Sequence, residues 1–190
     1  NSSGTASVSV PVNVSGGANG TTRAMAVTGS NSTADGSSGW GIKSPMTITG
    51  GVNVNPYFDG LRFWVRASAT GTYRLNLESA AQTAGSDYWG YDLDVTTTWT
   101  AVTIMENQFA QAGWGTPIAL SAALSQLSSI QFQTRAMSTT NRVLYIDELC
   151  ILSPNPPPTS TPTRTPTNTS TPKPMVCVLQ DDMEDLNIMN

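Results

Sequence analysis

Apolar and polar residues alternate over several short runs of this chain, and this pattern limits the folds open to it more than any other feature. In Leu61–Arg66 the residues Leu61, Phe63 and Val65 share one face, and Tyr73–Glu78 repeats the pattern. Because successive side chains of a strand point to opposite sides, a period of two indicates half-buried antiparallel strands. The chain therefore predicts an all-β sandwich of two packed sheets.

Turn signals separate these runs along the whole first part of the chain, as is typical of all-β domains. The only helix-like stretch is Ile118–Leu127, and it is short. The predicted strands are Ala6–Val14, Arg23–Gly29, Pro45–Thr49, Gly60–Ala67, Thr72–Ser79, Tyr88–Val95, Thr100–Met105, Ser128–Arg135 and Arg142–Leu152.

The composition is that of a secreted protein found outside the cell or at its surface. Charged residues make up 12%, histidine is absent and the net charge is −4, which argues against a nucleic-acid partner because no basic surface could neutralise phosphates. No apolar run has the length of a membrane-spanning helix. Without a signal peptide or an initiator Met, the chain is expected to be a mature, processed product. Glycosylation sequons, which fit an exposed secreted protein, occur at Asn1, Asn13, Asn19, Asn31 and Asn168.

The chain divides into three zones. Residues 1–153 are predicted to form the sandwich. Residues 154–174 hold eight of the twelve prolines in a Pro-Thr pattern, which cannot build a core and favours an extended polyproline II linker. At ~3 Å per residue, such a linker could span roughly 60 Å. Residues 175–190 contain an alternating strand that begins at Val176 and then turns acidic.

Between Gly60 and Leu152, several segments follow a recognisable cadence: a strand with a tryptophan, an alternating strand, Ser-Ile-x-Phe, and Tyr-Ile-Asp. These segments are Gly60–Arg66, Tyr73–Leu77, Thr98–Ile104, Leu127–Gln133 and Leu144–Leu149. In this cadence the chain resembles the jelly-roll carbohydrate-binding modules of family 11 and their relatives. With the N-terminal strands, the resemblance covers about three quarters of the chain and implies a jelly-roll β-sandwich.

The resemblance also places the end of the chain. Domains of this family usually open with an acidic strand similar to Asp-Asp-Phe-Glu-Asp, and here Asp181–Asp185 matches that opening at the C-terminus. The chain therefore resembles a circularly shifted module whose body lacks its first strand. The tail either completes its own sandwich, inserts into the next copy, or starts the next module of a tandem array.

Of these arrangements we favour donation of the tail to the next copy. An unfilled edge slot would expose unpaired backbone, so some strand has to fill it. Head-to-tail filling does not close on itself, and it builds a filament. The expected donor-strand interface comprises Val176, Cys177, Val178, Leu179, Asp182 and Met183.

Two further expectations follow from the resemblance. The first and last strands are neighbours in the family's jelly roll, which allows a Cys150–Cys177 disulfide; the alternative is two separately buried thiols. Related modules often carry a structural Ca²⁺ near these strands, and the matching oxygen ligands here are Asp147, Asp182 and Glu184. The alternative is an acidic turn with solvated charges. No other cofactor is expected.

Catalysis has little support, because the chain has no histidine, no nucleophile elbow and no carboxylate pair with telling spacing. Outward residues of the predicted strands could instead form a sugar-binding face. Phe63 and Trp99 are expected in the core, whereas Trp40 and Trp114, in Gly-Trp-Gly turns, either present a ring to a sugar or cap the sandwich. The candidate sugar-binding residues are Arg62, Trp64, Arg74, Asn76, Tyr88, Gln131 and Gln133.

The sequence therefore predicts a non-catalytic extracellular subunit that polymerises head to tail through its C-terminal strand. Its partners would be copies of itself, with polysaccharide or covalent glycans in addition. The alternative is a carbohydrate-binding module of a tandem secreted protein that degrades polysaccharide or adheres to it.

Overall fold

A computed structural model of the chain describes residues 6–8, 12–31, 41–45, 51–85, 87–134, 138–153 and 176–181. Within these residues the chain is almost entirely β-structure, as predicted, and no helix is long and apolar enough to cross a membrane. One helix, α1 (Leu120–Leu124), and one 3-10 turn (Glu106–Gln108) interrupt the strands. The strands are β1 (Ala6–Val8), β2 (Val12–Ser15), β3 (Arg23–Asn31), β4 (Gly41–Pro45), β5 (Gly60–Ala67), β6 (Gly71–Ser79), β7 (Trp89–Val95), β8 (Thr100–Met105), β9 (Leu127–Thr134), β10 (Ser138–Ser153) and β11 (Val176–Asp181).

The strands form two antiparallel sheets whose inner faces enclose one core. The larger sheet has the order β1-β3-β10-β5-β8, with β2 also paired to β3 and β11 paired to β10. The smaller sheet has the order β4-β9-β6-β7. This architecture confirms the predicted jelly-roll sandwich.

The core is built from the apolar residues of the alternating runs. Leu61, Phe63 and Val65 of β5 are at most 1% exposed. Phe63 meets Phe132 of the other sheet edge to face, with ring centroids 5.0 Å apart. Such aromatic pairs across a sandwich contribute beyond the area they bury. The expected core position of Phe63 is confirmed.

Trp99 was expected in the core as well, and that expectation is wrong. Trp99 precedes β8 and is only half-buried. Its ring packs against Tyr145 on the outer face of the larger sheet, with centroids 6.3 Å apart. Trp99 therefore packs against an aromatic ring on the surface and not in the core.

Strand β10 has two partners in line along one side. Its first part pairs with β3, up to Ile146, and its last part pairs with β11, from Leu149 to Ser153. Its other side is taken by β5. The register shifts between Asp147 and Cys150, where Glu148 has a φ of +47°. In this single chain, the tail strand lies in the sheet of its own body, beside the strand of Cys150. A circular shift and donation between copies remain predictions.

Candidate functional site

Polar side chains cover the outer face of the smaller sheet. The apolar core residues of β6 are Tyr73, Leu75 and Leu77, so the polar residues that alternate with them lie on the outer side of this strand. Gln133 and Gln131 of β9 lie opposite Arg74 and Asn76, and Asp92 of β7 lies opposite Arg74 on the other side. We call this surface the polar face; its members are Arg74, Asn76, Glu78, Asp92, Gln131 and Gln133.

Arg74 organises one end of the polar face. Its Nε donates to Asn76 Oδ1 at 3.1 Å, its Nη1 to Asp92 Oδ1 at 3.2 Å and its Nη2 to the backbone oxygen of Ala110 at 2.7 Å. Asn76 Nδ2 in turn donates to Gln133 Oε1 at 3.3 Å. Because Arg74 is only 8% exposed and each of its three nitrogens has an acceptor, its charge is satisfied within the fold.

Gly90 of β7 makes room for this arginine. A Cβ at Gly90 would lie 2.5 Å from the backbone oxygen of Leu75, 2.7 Å from Arg74 Nε and 2.8 Å from Asn76 Oδ1. Gly90 also forms an isolated β-bridge with Ala110, whose backbone oxygen accepts the hydrogen bond from Arg74 Nη2. Glycine is thus required where a side chain crosses close to the backbone.

Glu78 organises the other end of the polar face. Its carboxylate accepts hydrogen bonds from Ser129 Oγ, from Gln131 Nε2 at 2.8 Å and from Tyr88 OH at 3.4 Å. Glu78 lies four positions along β6 from Arg74, about 13 Å at ~3.3 Å per residue, so Glu78 and the Arg74–Asp92 pair lie at opposite ends of the polar face.

Asp87 secures the loop that borders β7. Its carboxylate accepts backbone N–H groups of Ala112 at 2.8 Å, Gly113 at 2.9 Å and Gly115 at 3.2 Å. Burial raises the pKa of Asp87, but the backbone hydrogen bonds, led by that of Gly115, outweigh it and leave the pKa below its ordinary value. Trp114 lies in this loop and is 64% exposed, so it presents its ring to solvent. Trp40 lies outside the described residues.

The structure brings most of the predicted sugar-binding residues together. Arg74, Asn76, Gln131 and Gln133 share the polar face, and Tyr88 reaches it through Glu78. Arg62 and Trp64 do not join them, because β5 belongs to the larger sheet. The expectation of one shared face is therefore wrong: a period of two shows which side of a strand is outward, but not which sheet the strand enters. Glu78, which was missed, alternates with Arg74 and Asn76 and could have been found by that signal.

Asp147, a predicted calcium ligand, is fully buried on the outer side of β10. Its Oδ2 accepts hydrogen bonds from Ala18 N at 2.7 Å and Thr21 Oγ1 at 2.6 Å, and Glu148 N donates to Oδ1 at 2.9 Å. A Cβ at Gly17 would collide with Thr21 Oγ1 and the backbone oxygen of Arg23 and would lie 2.7 Å from Asp147 Oδ2. Several oxygens thus converge on one small space, which suits a hard cation.

The other predicted calcium ligands, Asp182 and Glu184, lie outside the described residues. Within the described residues, no group of three or more histidine, cysteine or acidic side chains could hold a metal. Calcium binding therefore remains a prediction. So does glycosylation: Asn19 lies in an exposed turn and Asn13 is half-buried on β2, Asn31 ends β3, and Asn1 and Asn168 lie outside the described residues.

The predicted donor-strand residues are divided in the same way. Val176, Cys177, Val178 and Leu179 belong to β11, whereas Asp182 and Met183 lie outside the described residues. Cys150 is buried and disulfide-bonded. Cys177 is the other cysteine of the chain, and its backbone lies opposite Leu152, two residues along β10 from Cys150.

Comparison with known proteins identifies the fold. No family model and no curated protein matches the chain. It is similar to a solved family 11 carbohydrate-binding module from Clostridium thermocellum, in complex with a β-1,3-1,4-mixed-linked tetrasaccharide, at 16% identity and a TM-score of 0.51, over 77% of this chain and 84% of that one. A solution structure of CtCBM11 matches at 18% identity and a TM-score of 0.50, over 74% and 82%.

An exo-β-agarase matches at 12% identity and a TM-score of 0.51, over 80% of this chain but only 23% of the agarase. The likeness thus covers one part of that enzyme. At these identities the likeness concerns architecture. The fold of this chain is the jelly roll of the family 11 carbohydrate-binding modules.

Proposed function

We propose that this chain is a non-catalytic, extracellular structural subunit whose copies join head to tail, with β11 of one copy completing the larger sheet of the next. The observation that carries the proposal is the register of β11. Val176 lies directly opposite Ser153, yet the 22 residues 154–175 separate them in the chain.

That separation is far greater than a single sandwich requires. Residues paired across two antiparallel strands lie about 5 Å apart, and loops of about 2–5 residues commonly close such a pair. A chain that completes its own sheet has to bring the linker back to its starting point. Closing a flexible loop costs little, but stiff chains deviate strongly, and a Pro/Thr-rich linker favours an extended form of roughly 60 Å. Donation to a neighbour lets the linker stay extended.

The slot beside β10 also has to be filled. Residues 149–153 of β10 are at most 5% exposed, and β11 is their partner on one side. Without that strand, backbone donors and acceptors would face solvent at a sheet edge, where other chains pair readily. A donated strand supplies the backbone hydrogen bonds that this edge lacks. Because the contact joins two different surfaces of the subunit, it can repeat from one copy to the next.

Two linker variants test the proposal. Replacing residues 154–175 by a two-residue Asn-Gly turn forces β11 onto its own body and should give only monomers by light scattering. A Gly/Ser linker of unchanged length is the matched control for loss of the native linker sequence. Removing residues 176–190 should leave an unstable body that binds a synthetic 176–190 peptide. A full-length protein that is monomeric at every concentration, with its tail in its own sheet, would overturn the proposal.

A second function, polysaccharide binding, is favoured by the polar face and by the fold. Gln131 and Gln133 are half-buried and Asp92 is exposed, so these side chains are accessible to sugar hydroxyls, and the similar module was solved with a mixed-linked tetrasaccharide. Affinity electrophoresis in mixed-linked β-glucan tests this function. Retention that is lost in Gln131→Ala/Gln133→Ala but kept in Thr103→Ala, a control on the other sheet, would support it. If no variant differs from wild type, the polar face is not a sugar site.

We also propose that Asp147, with Asp182 and Glu184, holds Ca²⁺ near the joint between β10 and the tail. Bound Ca²⁺ would supply positive charge to these carboxylates and stabilise the folded state by mass action. Thermal unfolding in CaCl₂ and in EDTA checks this: the melting temperature should rise with Ca²⁺ in the wild type but not in Asp147→Asn. Equal melting temperatures in both buffers would contradict it.

A further inference from the structure

The outer face of the larger sheet carries arginines interleaved with aromatic rings. On β5 the inner residues are buried, so Arg62, Trp64 and Arg66 point outward at every second position. Tyr145 of β10 lies opposite Arg66, and Trp99 packs against Tyr145. We call these five residues the arginine–aromatic strip. They lie on the sheet opposite to the polar face.

Arg66 is held by rings rather than by a carboxylate. Its Cζ lies 3.7 Å from the centroid of the Tyr145 ring and 5.1 Å from that of Trp99. Both distances are within the range of cation–π attraction. The Nε atom of Arg66 is buried and has no hydrogen-bond partner. Among the described residues, neither Arg62 nor Arg66 forms an ion pair.

Arg74 provides an internal comparison. It also points outward from a central strand, but in the smaller sheet, and it is satisfied by two side chains and a backbone oxygen, including the carboxylate of Asp92. Two carboxylates of β10 lie near the strip in register, those of Asp147, opposite Trp64, and of Glu148, in the adjoining bulge. The oxygens of Asp147 accept hydrogen bonds from Ala18, Thr21 and the backbone of Glu148, and neither carboxylate forms an ion pair with Arg62 or Arg66 among the described residues. The charges of the strip are therefore not balanced within the described part of the chain.

The strip is open on the side of β8. This strand ends the larger sheet and places Thr103 opposite Arg62 and Ala101 opposite Trp64. Both residues are short and exposed, so they leave the indole of Trp64 accessible from that side. A ligand laid along β5 would meet a guanidinium, a ring and a second guanidinium, spaced about 6–7 Å apart.

We propose that the arginine–aromatic strip binds a linear anionic polysaccharide. Arg62 and Arg66 would each donate paired hydrogen bonds to a carboxylate or sulfate of the chain, and the face of one sugar ring would stack on Trp64. Local charge complementarity favours this ligand, because neither guanidinium has a carboxylate partner among the described residues; the net charge of −4 on the whole chain opposes it, so binding should come from these two groups. An aromatic ring on an open sheet face suits a stacking sugar better than an acidic peptide, which commonly binds along a strand edge or in a groove. The proposal depends neither on the polar face nor on β11.

Binding of polygalacturonate to the full chain, measured by titration calorimetry, tests the proposal. Wild type should bind, and raising the salt from about 50 mM to about 300 mM should weaken binding because exposed charges are screened. The Arg62→Gln/Arg66→Gln double variant should lose about tenfold or more in affinity, equivalent to about 1.4 kcal/mol. Arg142→Gln is the matched control: it removes the same charge from β10, where Nη1 donates to the backbone oxygen of Thr70, and it should bind like wild type.

Several outcomes would overturn the proposal. These are absence of polygalacturonate binding, binding that the double variant leaves unchanged, or tighter binding of a synthetic acidic peptide at the strip. Arg62→Gln alone keeps the test valid if the double variant does not fold, because Arg62 is exposed and its loss should still weaken binding. Neutral mixed-linked β-glucan separates this site from the polar face: its binding should not respond to either arginine or to salt.

Discussion

Single buried polar residues hold the loops of this sandwich, and Asp87 is the clearest case. Because its folded pKa lies below the unfolded value of about 3.9, its stabilisation is present above that pH and is lost as the pH falls through the folded pKa. We expect Asp87→Asn to lower the free energy of unfolding by about 1–3 kcal/mol at pH 7. The difference from wild type should shrink towards pH 3, as followed by denaturant unfolding at each pH.

Asp94→Asn is the control for this prediction. Asp94 is exposed and its carboxylate accepts one hydrogen bond, from Thr72 Oγ1 at 2.8 Å. Its substitution should change the stability by less than about 0.5 kcal/mol. If the Asp87→Asn variant were as stable as the Asp94→Asn variant at pH 7, the prediction would be wrong. Water would then replace the Asp87 carboxylate as hydrogen-bond acceptor for the loop's backbone N–H groups without loss of stability.

Gly90 leaves room for the side chain of Arg74. The methyl group of Gly90→Ala would lie 2.5 Å from a backbone oxygen and 2.7 Å from Arg74 Nε, so Arg74 has to leave its acceptor on Ala110. We expect a loss of about 1–3 kcal/mol from this overpacking. Urea unfolding measures it, and Gly71→Ala is the control, because a Cβ there would come close only to the flexible end of Arg142, at 2.8 Å from Nη1. A loss in Gly90→Ala no larger than that in Gly71→Ala would contradict the proposed role of Gly90.

The sequence predicts the position of some of these residues in the fold and not that of others. Phe63 could be placed in the core because the alternation of β5 fixes its face. The role of Asp87 could not be predicted, since its partners lie 25 to 28 residues away on a loop without a pattern. Trp99 shows the same limit, because only the finished fold brings it beside Tyr145.

Among the elements, β11 is the one on which the proposed assembly depends. Its pairing with β10 requires backbone donors, which proline lacks. Leu179 lies opposite Ile151 in the middle of this pairing, and we expect Leu179→Pro to abolish assembly and to destabilise the body. Light scattering and thermal unfolding check both effects. Thr163→Pro, in the linker that is already rich in proline, should behave like wild type. Intact assembly in Leu179→Pro would exclude β11 as the joining strand.

The sequence did not predict which of the two sheets each strand joins. The strands β5 and β6 have the same alternation and follow each other in the chain, yet they enter opposite sheets. Pairing depends on long-range contacts, as between β5 and β10, which lie about 80 residues apart. This is why Arg62 and Trp64 were grouped with Arg74, and why the arginine–aromatic strip emerged only from the structure.

For the whole molecule, donation between copies makes stability depend on protein concentration. If β11 fills another copy's sheet, its binding contributes to stability by mass action, and the melting temperature should rise with concentration. A strand that fills its own sheet gives a melting temperature that does not change. Differential scanning calorimetry over a hundredfold range of concentration decides between them. The short-linker variant, which cannot donate its strand, is the control and should show no change.

The register of β11 has a mechanical consequence. In the proposed filament, the incoming linker attaches at Val176 and the recipient's own linker leaves at Ser153, and these two residues are paired at the same end of the ladder. Tension along the fibre would thus pass from one linker to the next through the single residue pair Val176–Ser153, and the body of each sandwich would lie outside the path of the force. Under that tension the backbone hydrogen bonds between β11 and β10 would break one after another, starting at this pair. Cys177 is one residue in from Val176 and Cys150 three residues in from Ser153, so the predicted covalent bond between them would stop this breakage almost where it begins.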